Sequence, residues 1–210
     1  MFTYAIGQFG LQAPMVTFLG AFTNGSGSAL AIGPARTDRI VVVAAQKEQD
    51  ATTAFATPTI NGTAATILVQ PSISDPVVMG YAFVPTGTTV ALACAGGTRM
   101  FGWVITNVTA LDQVLTGAVS GAVYTITGTM PAQPSVIIGI ARSRSTESSY
   151  SASVSGVLDD VVTDAYSTSG GNASSWIGAH AKADGPGTGA LILTGSNNYS
   201  AGYGAAAIFI

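Results

Sequence analysis

The chain has 210 residues, 48% of them hydrophobic and only 8% charged, with a net charge of −3; an average soluble domain is roughly a quarter charged, so Ser, Thr, Asn, Gln and Gly must wet this surface. That length allows one large domain or two small ones with a real core. The seven basic residues form no stripe, which argues against nucleic acid as a partner, and polar residues, Gly or Pro interrupt every apolar stretch well before the ~20 residues of a spanning helix. The first basic residue is Arg36, so the basic start of a secretory signal is missing, and the 17 Phe, Tyr and Trp residues lack the girdle spacing of a membrane barrel. The expectation is a protein made in the cytoplasm, with neither membrane nor nucleic acid as a partner.

Glu and Lys occur only twice each, while Thr, Val, Ser, Ala and Gly dominate, which is the composition of an all-β chain. In chain order the predicted strands are MVTFLGAF (15–22), ALAIG (29–33), RIVVVAAQ (39–46), TPTINGTAATILVQ (57–70, split at Asn61-Gly62), VMGYAFVP (78–85), TTVALACA (88–95), RMFGWVITNV (99–108) and AVYTITGTM (122–130). Asn24-Gly25 and Asn61-Gly62 are tight-hairpin signals, because both positions accept positive φ. The run Ile40–Ala45 has no polar residue, is β-branched and is too short to span a bilayer as a helix; it predicts a buried central strand.

The second half repeats the first. DRIVVVAAQ aligns with PSVIIGIAR at an offset of 96, TINGTAATILV with SVSGVLDDVVT at 94 (Gly62 on Gly156), and GTTVALACAGGTRMFGW with GTGALILTGSNNYSAGY at 100 (Gly102 on Gly202, Trp103 on Tyr203). Two tandem sandwiches or one larger sandwich would both fit. With no charged or Pro-rich linker between the halves, the expectation is one antiparallel two-sheet β-sandwich of jelly-roll kind over residues 15–210, its halves meeting near 112/113. Residues 1–14, with Phe2, Tyr4 and Phe9, fall outside the repeat and read as a partner-docking arm or an extra edge strand.

Catalytic chemistry is sparsely supplied. His180 is the single histidine, which excludes a His-based metal cluster, and no G-x-S-x-G elbow accompanies it; a structural or surface role is expected. Asp159, Asp160 and Asp164 are the candidate paired carboxylates, but adjacent Asp159 and Asp160 point to opposite faces of a strand, so solvated edge acids, or at most a calcium site with loop carbonyls, are expected. DGPGTG (184–189) lacks the G-K-[ST] ending of a phosphate loop and reads as a turn. Cys94, the single cysteine, reads as a buried thiol. Flat platforms for sugar exist in Trp176, Tyr166 and Tyr199, with Trp176 the candidate exposed contact, whereas Trp103 and Tyr203 are expected in the core. No cofactor or metal is expected.

The residues VTFLGAF, ALAIGPARTDRIVVVAAQ, TPTINGTAATILV and YAFVPTGTT, followed by VYTITGTMPAQPSVIIGIARS and the apolar ending YSAGYGAAAIFI, resemble sandwich proteins of tailed bacteriophages and prophages across residues 15–210. The resemblance implies a non-enzymatic virion component: a capsid-decoration, head-fibre, collar or tail-associated protein. It would be a homo-oligomer docked to other virion proteins, with residues 1–14 as the arm. The competing expectation is a carbohydrate-binding module for a bacterial surface glycan.

Overall fold

The computed structural model describes residues 12–23, 25–46, 56–69, 77–96, 99–120, 123–143, 150–169, 174–195 and 202–210. Phe2, Tyr4, Phe9 and Tyr199 lie outside the described residues, as do the side chains of Tyr166 and Tyr203. Among the described residues no helix is long and apolar enough to cross a membrane.

Among the described residues there are eighteen strands. They are β1 (Met15–Thr23), β2 (Ser26–Ala31), β3 (Ile40–Gln46), β4 (Thr59–Ile60), β5 (Thr63–Ala64), β6 (Thr66–Val69), β7 (Val77–Phe83), β8 (Thr89–Ala93) and β9 (Arg99–Thr106), then β10 (Leu111–Thr116), β11 (Ala118–Ser120), β12 (Val123–Met130), β13 (Ser135–Ser143), β14 (Tyr150–Gly156), β15 (Leu158–Ser169), β16 (Ser174–Ala183), β17 (Gly187–Gly195) and β18 (Gly202–Phe209).

The protein is all-β and antiparallel, as expected, but the described residues form four sheets where two were predicted. An N-terminal outer sheet (β2-β8-β4-β5) covers an N-terminal inner sheet (β1-β9-β3-β7-β6); a C-terminal inner sheet (β10-β18-β13-β16-β15) is covered by a C-terminal outer sheet (β11-β12-β17-β14). The two inner sheets pack face to face, so three apolar layers separate four sheets.

This stacking explains the unbroken apolar run at β3. Ile40, Val42 and Ala44 face the central layer between the inner sheets, and Val41, Val43 and Ala45 face the N-terminal outer sheet. In β13, Val136, Ile138 and Ile140 face the central layer, and Ile137 and Ala141 the other side. A strand covered on both faces has no reason to alternate polar with apolar residues, and each fully buried Val or Ile is worth about 1.5–3 kcal/mol.

The ladders align the two inner sheets residue by residue. Val42 of β3 pairs with Tyr81 and Trp103, and Ile138 of β13 pairs with His180 and Ala207. Trp103 therefore corresponds to Ala207 and not to Tyr203, which pairs with Arg142 as Arg99 pairs with Gln46. The match of Gly102-Trp103 to Gly202-Tyr203 that suggested Tyr203 was a sequence coincidence four residues out of register. Trp103 itself is fully buried in the central layer, as expected. Asn61 and Gly62 take φ of 52° and 76°, the two positive values that their hairpin turn requires.

Arg39, at the head of β3, is 0% exposed. Its Nε donates to the Val84 carbonyl at 2.8 Å, its Nη1 to Ile32, Gly33 and Pro34 at 3.1, 3.0 and 2.7 Å, and its Nη2 to Thr86 and Gly87 at 2.9 Å each. The guanidinium thus ties the 32–34 turn to the 84–87 turn, using a rigid fork of five N–H donors that no other side chain supplies. Burial pushes its pKa down, helped by the neighbouring Arg36 charge. Outside it, Arg36 makes a bidentate pair with Asp38 (2.8 Å for each contact) and reaches the Asn107 side chain.

Candidate functional site

Where the inner sheets meet at the β1 and β15 edges, three polar side chains come together at the central layer. The ladder between β15 and β16 pairs Thr163 with Ala179 and then Ala165 with Gly178, so Asp164 is the extra residue of a bulge. A bulge re-aims its side chain, and the Asp164 side chain is only 1% exposed. The Trp103 Nε1–H of the facing sheet donates to Asp164 Oδ2 at 2.7 Å, and His180 Nδ1 lies 2.8 Å from each carboxylate oxygen. A carboxylate only accepts, so the ring proton of this contact sits on Nδ1, and in the neutral tautomer that this selects Nε2 is the acceptor. The Trp103 indole is held against the β16 backbone because residue 178 is glycine; a Cβ there would come within 2.9 Å of the ring.

His180 is 8% exposed and opens onto a groove of about 340 Å³. Met15 and Val16 of β1 form one side, Asp160, Val161 and Val162 of β15 the other, and Lys182 lies beside His180 on β16. Lys182 Nζ stands 3.5 Å from Asp160 Oδ2, with Asp160 72% exposed. None of these lining residues is a Ser, Thr or Cys, so the groove offers an oriented base without a hydroxyl or thiol nucleophile beside it.

The sequence expectations fare unevenly here. Asp164 is not a solvated edge acid: the bulge buries it and two N–H donors hold it. Asp159 and Asp160 are exposed, and among the described residues no group of three or more His, Cys, Asp or Glu side chains could hold a metal ion. Trp176 is not the expected exposed contact. It is 0% exposed in the central layer, with the Arg99 guanidinium 5.6 Å from its ring centroid, because residue 176 shares the inward face of β16 with Gly178 and His180. Trp176 itself therefore offers no platform at the surface. Cys94 is buried as expected, its Sγ 3.4 Å from the Ala56 carbonyl. Sequence reasoning missed the Trp103–Asp164 link and the Arg39 clamp; only the second left a signal, a cation heading an apolar strand.

No protein-family model matches the chain, and no curated protein matches it. Among solved structures it is similar to an anti-sigma factor domain-containing protein from Clostridium clariflavum, at 10% identity over 88% of this chain and 84% of that one, with a TM-score of 0.21. It is also similar to BpGH86A, a beta-porphyranase of glycoside hydrolase family 86 from Bacteroides plebeius, at 12% identity over 89% of this chain and 37% of that one, with a TM-score of 0.26. Likenesses this distant carry no argument about fold or role.

Proposed function

We propose that the protein is a non-enzymatic structural component of a bacteriophage particle, acting through docking to other virion proteins. The observation that carries this reading is the shared central layer. Ile40, Val42 and Trp103 from the N-terminal part pack with Ile138, Trp176 and Phe209 from the C-terminal part, so the chain is welded into one stiff block and not hinged around a cleft. A building block needs such stiffness. The buried polar groups serve the same end, since Arg39 spends its fork on backbone carbonyls. Residues Gln12 and Pro14 lead into β1 beside Asn107, whose Nδ2 donates to the Ala13 carbonyl at 2.9 Å, so the chain is anchored to the block immediately after the apolar sequence 1–11.

The test is particle purification from cells producing the phage. The protein should band with gradient-purified particles, and deleting residues 1–11, which leaves β1 and the Asn107 contact in place, should leave it in the soluble fraction while the truncated chain remains folded. Particles that never contain the intact protein would refute the reading.

A further inference from the structure

The Trp103–Asp164–His180 cluster is not demanded by packing. The ladder between β6 and β7 pairs Ile67 with Gly80 and then Val69 with Met79, so Leu68 occupies the same bulge position that Asp164 does. Tyr81 corresponds to His180 and Ala207 to Trp103. At that equivalent contact Leu68, Tyr81 and Ala207 belong to or pack on the central layer without any charge. The same architecture therefore closes with apolar side chains on one side and with a buried carboxylate on the other.

What the polar version achieves is orientation. Asp164 fixes the imidazole through Nδ1, and His180, more than nine-tenths buried, has no hydrogen bond to Nε2 among the described residues while it lines the groove. A carboxylate behind a histidine is the arrangement that fixes the tautomer and raises the basicity of a metal-ligating imidazole. Asp160 lines the same groove, held only by its surface pairing with Lys182, which is weak and easily exchanged. The lining charges of Asp160 and Lys182 balance, and the Asp164 carboxylate buried directly behind the imidazole adds one negative charge that favours a cation at Nε2.

We propose that this groove binds a divalent transition-metal ion of the zinc, nickel or copper class, with His180 Nε2 and the Asp160 carboxylate as its protein ligands. Asp164 and Trp103 are positioning residues behind the imidazole. Imidazole and carboxylate together suit these borderline ions better than magnesium or calcium, and with only two protein ligands water completes the shell.

Because His180 is the single histidine, nitrogen-detected NMR of its ring in the untagged, full-length chain reads the site without ambiguity. Titrating Zn²⁺ should move the Nε2 resonance saturably. Calorimetry should show binding lost in His180→Gln, weakened in Asp160→Asn, weakened about 10–100-fold in Asp164→Asn, and unchanged in Asp159→Asn. An Nε2 resonance unmoved by millimolar Zn²⁺ in the native chain overturns the proposal whatever the variants do; so does binding that survives His180→Gln, or that is indifferent to Asp160→Asn.

Discussion

Replacing Arg39 by Lys tests whether a fully buried cation can be justified by carbonyl acceptors alone. The guanidinium satisfies six carbonyls from two turns. An ammonium has three N–H donors radiating from one point, so at least three of those contacts disappear. A hydrogen bond from a charged donor contributes about 1.5–3 kcal/mol, but the freed carbonyls lie in turns and are partly rehydrated, which halves the loss to roughly 2–4 kcal/mol. Arg39→Met removes every donor and should cost more than Arg39→Lys, although it also removes the burden of a buried charge. Urea unfolding followed by tryptophan fluorescence is the assay, since both tryptophans lie in the central layer. The Arg39→Lys midpoint should fall with an unchanged slope. Equal stability of wild type and Arg39→Lys, within about 0.5 kcal/mol, would refute the clamp, because surface-like tolerance is what an unneeded cation would give.

Gly156 and Gly62 have similar φ, 72° and 76°, but a Cβ at 156 would run into the Thr188 carbonyl oxygen, whereas nothing stands within 4 Å at 62. Gly62→Ala should cost only the left-handed penalty of about 1–2 kcal/mol, and Gly156→Ala clearly more; equal losses in thermal unfolding would show that the clash relaxes freely. Gly178→Ala should push the Trp103 indole off β16, costing about 1–3 kcal/mol by overpacking, and should shift the tryptophan emission; an unchanged spectrum would place the indole elsewhere. For pH, the side-chain hydrogen bonds from Arg36 hold Asp38 below the usual carboxylate range, against a smaller opposing effect of burial. Its folded pKa is below its unfolded one, so its contribution is present above the unfolded value, near 4, and fades as pH drops through the folded value. The stability difference between wild type and Asp38→Asn, measured from pH 7 to pH 2, should shrink below about pH 4 and not above it.

The sequence by itself determined the strand content, the tight turn at Asn61-Gly62 and the burial of β3, because β-branched runs and paired positive-φ residues act locally. It also carried the similarity between β3 and β13, since a strand covered on both faces must stay apolar along its whole length. It could not count the sheets: Val41 and Val42 read alike in sequence, yet they face different layers. Nor could it place the candidate site. Trp103, Asp164 and His180 come from β9, β15 and β16, and Asp164 turns inward only because one extra residue is accommodated in the β15–β16 ladder. That bulge is a property of pairing between strands, as is the four-residue correction that moved Trp103 from Tyr203 onto Ala207. Trp176 went the same way: a polar loop before it suggested exposure, while the face of β16 to which its number assigns it decided burial. Local propensity set the elements, and register between distant strands, which no single segment encodes, decided which side chains meet.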